Sequence, residues 1–91
     1  MELIIEWDEQ KNTWLKNNRG VSFEDVENAI LSQAVLDIVP HHNTALYPHQ
    51  EIIILKIGEY IYYVPFIQQE KVIFLKTIIP SRKLNKQYIQ E

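Results

Sequence analysis

The stretch EIIILKIGEYIYYVPFIQQEKVIFLKTII, residues 51–79, constrains the fold more than any other part of the chain. It holds three runs rich in Ile, Val, Tyr and Phe, residues that fit a pleated surface. Gly58-Glu59 separates the first two runs and the tetrapeptide 68–71 the last two. Strands are therefore expected at 51–57, 60–66 and 72–79, joined as two antiparallel hairpins. A two-residue turn at 58–59 sets Ile57 opposite Tyr60, Lys56 opposite Ile61 and Ile54 opposite Tyr63. A four-residue loop at 68–71 sets Ile67 opposite Val72, Tyr63 opposite Lys76 and Ile61 opposite Ile78. One face then carries Ile53, Leu55, Ile57, Tyr60, Tyr62, Val64, Phe66, Ile73, Leu75, Thr77 and Ile79. It is almost wholly apolar and is the expected core. The other face carries Ile52, Ile54, Ile61, Phe74 and Ile78, and among them Lys56, Tyr63 and Lys76 in close company. A slip of one residue in either hairpin would break this grouping.

Upstream, the pattern changes from sheet to helix. Residues 2–7, ELIIEW, read as a short strand. Asp8 is a good N-cap for a helix over 9–18, Glu9 suits the positive end of that helix, and Gly20 fits the left-handed position that ends one. Ser22 and Asp25 form a capping-box-like pair. Phe23, Val26, Ala29 and Ile30 follow at helical spacing and predict an amphipathic second helix ending near Ser32. Residues 34–39 read as a strand that Pro40 stops. Residues 40–50, PHHNTALYPHQ, form a loop holding all three histidines. A loop of that length in so small a domain is more often functional or mobile than a plain connector. Ser81 suits the cap of a short C-terminal helix over 82–91.

Ninety-one residues make one domain, with a core of modest size. The absence of cysteine excludes disulfides and thiolate metal sites. The N-terminus does not read as a signal peptide, and no apolar run approaches the roughly 18 residues of a bilayer span. A cytoplasmic location fits. The net charge is −3 but uneven. Residues 71–86 hold Lys71, Lys76, Arg82, Lys83 and Lys86 without an acid, whereas residues 22–51 hold five acids and no Lys or Arg. A basic end therefore lies inside an acidic whole.

IEWDEQKN followed by LKNNRGVSFEDV, a strand with Leu-Asp, and a closing FLKTIIPSRKLNKQY resembles the BrnT toxins, the toxin halves of bacterial type II toxin–antitoxin pairs. The likeness runs in order along nearly the whole chain and is better in the N-terminal half. It implies an α+β, RelE-like fold. That fold has an antiparallel sheet of about four main strands plus the short N-terminal one, two helices on one face and a short C-terminal helix. It also implies a metal-independent ribonuclease that inhibits translation, and a DNA-binding, BrnA-like antitoxin as partner. Where the family commonly has His before Gly, this chain has Arg19 before Gly20.

RNA cleavage without a metal needs a base for the ribose 2′-hydroxyl, an acid for the leaving oxygen and cations for the phosphate. Arg82, at the family's C-terminal arginine, offers a planar fork for phosphate or is an ordinary surface arginine. Lys56, Lys76 and Tyr63 offer two cations and a hydroxyl, or two lysines whose stems snorkel on a solvated face. Arg19 caps the first helix or binds phosphate, but stays protonated and makes a poor base. His41 and His42 can exchange protons if their loop folds over the lysine face, and otherwise are solvated. With His49 they form no recognised metal spacing, and neither metal nor cofactor is expected. Trp7 and Trp14 read as rim packing and Tyr88 as packing of the last helix. A non-catalytic interaction module on the same fold stays open beside the ribonuclease. A metal hydrolase would need a carboxylate–histidine cluster that does not assemble from this sequence.

Overall fold

A computed structural model describes residues 3–83. The order of elements is β1 (Ile4–Trp7), α1 (Glu9–Arg19), α2 (Phe23–Leu31), β2 (Val35–Pro40), β3 (Gln50–Ile57), β4 (Tyr60–Gln69), β5 (Val72–Leu75) and β6 (Ile79–Pro80). The expected C-terminal helix begins with helical backbone at 82–83. The rest of it, with Tyr88, lies outside the described residues.

The local signals act as their chemistry dictates. The Asp8 carboxylate accepts from the Lys11 amide at 3.3 Å, satisfying one orphan donor of α1. Gly20 closes α1 at φ 69°, a left-handed conformation that glycine adopts without a Cβ penalty. Ser22 and Asp25 form a reciprocal capping box on α2. The end of α2 carries no glycine. Gln33, at φ 63°, donates to the Ile30 carbonyl and Ala34 to the Ala29 carbonyl, which together make a Schellman closure.

The sheet runs β1-β5-β4-β3-β2, with β6 also paired to β4. The β3–β4 hairpin has the expected register, Lys56 opposite Ile61 and Ile54 opposite Tyr63. Three expectations are corrected. The sheet is mixed rather than antiparallel, because β1 pairs in parallel with β5, Ile4 beside Val72. The chain crosses between them through both helices and the β2–β4 meander, a connection long enough for a parallel partner. The second hairpin turn is tighter than four residues: Gln69 pairs with Val72, leaving Glu70, at φ 55°, and Lys71 at the tip. The 72–79 strand is also interrupted. Leu75 lies opposite Phe66 and Ile79 opposite Tyr63, so one extra residue sits between those pairs on the C-terminal side. Such an extra residue inverts the inward–outward alternation. Ile78 is therefore buried in the helix-covered core, and Ile79 and Thr77 face the other way. The tighter turn, two residues shorter than expected, also moves Lys76 from opposite Tyr63 to opposite Pro65, whose carbonyl accepts from its amide at 2.8 Å.

α1 and α2 pack on one face of the sheet. Leu15, Phe23, Val26 and Ala29 meet Ile53, Leu55, Val64, Phe66, Ile73, Leu75 and Ile78 there. Trp7, half-buried, packs against the rim of this core, stacking on Phe23 at 5.6 Å while its indole donates to Glu9. Asn12 is fully buried where the helices meet. It accepts from the Phe23 amide at 2.7 Å and donates to Glu24 at 2.8 Å. On the opposite face a smaller cluster of Ile52, Ile54 and Ile61 gathers Val39 and Tyr63, and no residue of α1 or α2 belongs to it.

Candidate functional site

The second face of the sheet is where polar side chains converge on this smaller cluster. Residues 41–50 do not wander. They form the closed connection of the β2–β3 hairpin. The His41 amide donates to the Gln50 carbonyl at 3.1 Å, Tyr47 donates to Asn43 at 2.9 Å and Gln50 to Tyr47 at 3.2 Å. The Asn43 side chain accepts from the Leu46 amide at 3.3 Å. Inside this loop the His41 ring stacks on His42 with centroids 4.5 Å apart and against Tyr47 at 4.6 Å. His41 is buried, and its Nδ1 accepts from the Asn43 amide at 3.0 Å. An accepting Nδ1 places the ring proton on Nε2. His42 is exposed and meets the edge of the Tyr63 ring at 6.5 Å.

Two shallow depressions adjoin there. One, of about 410 Å³, is lined by His41, His42, Tyr47, Tyr63 and Lys76 among others. The next, of about 450 Å³, shares His42 and Tyr63 and reaches Ser81 and Lys83. The Lys76 ammonium stands 5.4 Å from the Phe74 ring centre, at the edge of the sheet's exposed surface. Arg82 is exposed between the two residues that border the second depression. His41, His42, Tyr63 and Lys76 thus share one surface, with residues 81–83 at its rim.

Two of the sequence-predicted residues stand elsewhere. Lys56 sits at the other end of β3, against a depression of about 540 Å³ that includes Asp25 and Asn28 on α2 and Ser32 at its end. Lys56 lies opposite Ile61 and Lys76 opposite Pro65. Four strand residues, roughly 13 Å, separate those positions along β4, with Lys56 in β3 on one side of it and Lys76 just past β5 on the other. The close trio of Lys56, Lys76 and Tyr63 is therefore not formed. Arg19 is on the helix side, where its guanidinium donates to the Ile78 carbonyl and lies 5.0 Å from the Trp14 ring. In this position it ties the end of α1 to the irregular 76–78 segment and offers no reach to the second face.

Tyr47 and Gln50 were not singled out by sequence reasoning, yet both line the first depression. Their signal was the composition of the loop itself, which holds a tyrosine beside the histidines. Among the described residues no three His, Asp or Glu side chains gather as a metal-binding group, and no helix is long and apolar enough to cross a membrane. Comparison with protein-family models, with curated proteins and with solved structures yields no match for this chain.

Proposed function

We propose that this protein is the toxin of a bacterial type II toxin–antitoxin pair, a metal-independent endoribonuclease of BrnT type on a RelE-like fold that acts on cytoplasmic RNA and inhibits translation. The observation that carries this reading is the grouping of His41, His42, Tyr63 and Lys76 on one sheet face, beside Ser81 and Lys83. Imidazole, phenol and ammonium are the groups that move protons and hold phosphate in RNA cleavage without a metal. His42, exposed and adjoining both depressions, takes the proton of the attacking 2′-hydroxyl. Tyr63 supplies a hydroxyl to the leaving oxygen. Lys76, Lys83 and Arg82 meet the negative charge of the phosphate. His41, locked by the Asn43 amide, orients His42 by stacking. Arg19 and Lys56 stand apart from this group.

The test is induced expression in a naive bacterial host, followed by cleavage assays with purified protein in the presence of a chelator. Growth arrest and chelator-resistant RNA cleavage are expected. Tyr63→Phe and His42→Ala are each expected to lower the cleavage rate by roughly 10²–10⁴-fold, the range for loss of a positioned proton-transfer group. Normal growth with intact RNA at high expression overturns the reading.

A second reading, a non-catalytic interaction module, is favoured by the sheet edge. β2 is a terminal strand with Leu36 and Ile38 about half exposed, 42% and 54%. An unpaired edge with apolar side chains accepts an added strand. In the toxin reading that strand comes from a BrnA-like antitoxin; in the module reading it is the whole function. A stable complex with the product of a neighbouring gene, without arrest when this protein is expressed alone, selects the module.

A further inference from the structure

The two depressions that share His42 and Tyr63 differ in chemistry. The one reaching Ser81 and Lys83 offers a cation. The other is lined largely by rings, with Gln50 and Lys76 also in its wall. Tyr47 is 42% exposed, yet it is not loose. Its ring leans on His41, and its backbone is held from both sides by Asn43 and Gln50. Behind it His41 is fixed by the Asn43 amide, so the exposed ring has a rigid backing. A fixed, exposed aromatic surface binds a planar partner at little cost in conformational entropy, because no rotamer has to be frozen.

From this geometry we infer that the ring-walled depression is a seat for one unpaired nucleobase, stacked on Tyr47, with its edge read by the Gln50 amide. Three features favour that ligand. The volume, about 410 Å³, is near the low end of the roughly 300–1,000 Å³ of small-molecule sites and suits a single base rather than a folded partner. A base presents a π-face to the ring and a hydrogen-bonding edge to an amide that can donate and accept. The adjoining depression with Lys83, and Lys76 at the near rim, give cations for the phosphate that follows the base. Only a base outside a duplex exposes its face in this way, so the seat selects single-stranded stretches. The inference deepens the ribonuclease reading, for which it supplies substrate selection, but base binding itself is measured without any cleavage.

The experiment is a titration of the whole protein with 2′-deoxy dinucleotides, which lack the attacking hydroxyl, and with an abasic dinucleotide, followed by amide chemical shifts. Base-bearing ligands are expected to move the amides of Tyr47, Gln50 and Thr77, whereas the abasic ligand moves only those around residues 81–83. Tyr47→Ala is expected to weaken the base-bearing ligand roughly 5- to 150-fold, the range for losing one base–aromatic stack, while Tyr47→Phe binds as the unaltered protein does. Gln50→Ala is expected to flatten the preference among the four bases. Equal affinity for abasic and base-bearing ligands overturns the inference, as does a Tyr47→Phe variant that loses as much as Tyr47→Ala. Base-dependent binding by a protein that leaves RNA intact upholds the seat and refutes the nuclease. Cleavage by a protein indifferent to the base refutes the seat alone.

Discussion

Replacing Asn12 by Ala should unsettle the junction of the two helices, and its cost follows from two hydrogen bonds and a helix-propensity gain. The Asn12 side chain is fully buried and accepts from the Phe23 amide at 2.7 Å, one of the orphan donors in the first turn of α2. Phe23 is itself fully buried, so deleting the acceptor leaves a buried N–H unpaired, at about 1–3 kcal/mol. The bond to Glu24 adds less. That carboxylate is about half exposed, and water replaces its lost partner. Alanine's better helix propensity returns about 0.5 kcal/mol. The net loss is about 0.5–2.5 kcal/mol, and each kcal/mol lowers Tm by about 4–8 °C in a domain of this size. Thermal and urea unfolding measure it, with an unchanged urea slope showing that stability alone has moved. Asn12→Asp separates the two bonds. It keeps an acceptor for Phe23 but sets a second carboxylate against Glu24, so it should gain stability relative to the unaltered protein as pH falls. In the unaltered protein the Asn12 amide, aided by a backbone hydrogen bond and Lys16, holds the Glu24 carboxyl below its ordinary 4.5. A depressed carboxyl stabilises the fold above that ordinary value, and the contribution is lost as pH falls through the depressed one. A loss below about 0.5 kcal/mol for Asn12→Ala, the size of an ordinary surface change, would mean that the Phe23 amide does not depend on Asn12.

Gln33→Gly removes the left-handed strain at the end of α2, where φ is 63°, and should raise stability by about 0.5–1 kcal/mol; a higher urea midpoint is the readout. Gly20→Ala should cost about 1–2 kcal/mol through backbone strain alone, because a Cβ there meets nothing within 4 Å; Gly20→Asn, which tolerates that conformation, should lose less. Burial, reinforced by Tyr60 and Asp25, pushes the Tyr62 hydroxyl above its ordinary 10.0. Its contribution to stability is complete below pH 10 and is lost as pH rises through the raised value. Unfolding curves of Tyr62→Phe should therefore lack that alkaline decline.

The parts of the fold legible in the sequence are those whose cause is local. Asp8, Gly20 and the Ser22–Asp25 pair each act within one helical turn, and Gly58-Glu59 fixes the β3–β4 register over eight pairs. The closure of α2 was hidden because Gln33 occupies a position where glycine is the usual signal. The parallel pairing of β1 with β5 left no local trace, since nothing in ELIIEW specifies a partner so far along the chain. The extra residue between Leu75 and Ile79 was equally silent. The run VIFLKTII alternates as a regular strand does, and only the packing of Ile78 against the helices and the Arg19 bond to its carbonyl hold the irregularity. The tighter turn at 70–71 takes Lys76 away from Tyr63, and the extra residue then sets Ile79 opposite it. Lys76 keeps to the second face with Tyr63 because two residues of slip leave the alternation intact, whereas Lys56 is too far along β3 to join them. The sequence also contained the Tyr47 ring without indicating that the loop would close tightly enough to hold it.

The parallel clasp of Ile4–Trp7 onto Val72–Leu75 has a consequence for how the molecule comes into being. Ribosomes add roughly 5–20 residues per second, so β1 waits several seconds for a neighbour while the hairpins that will receive it are still being made. Truncated or stalled translation products that stop short of β5 leave β1 unmoored and its Trp7 without the finished core. They also lack Lys76 and the 81–83 segment. Synthesis through β5 is thus a checkpoint on both the architecture and the surface that gathers His41, His42, Tyr63 and Lys76.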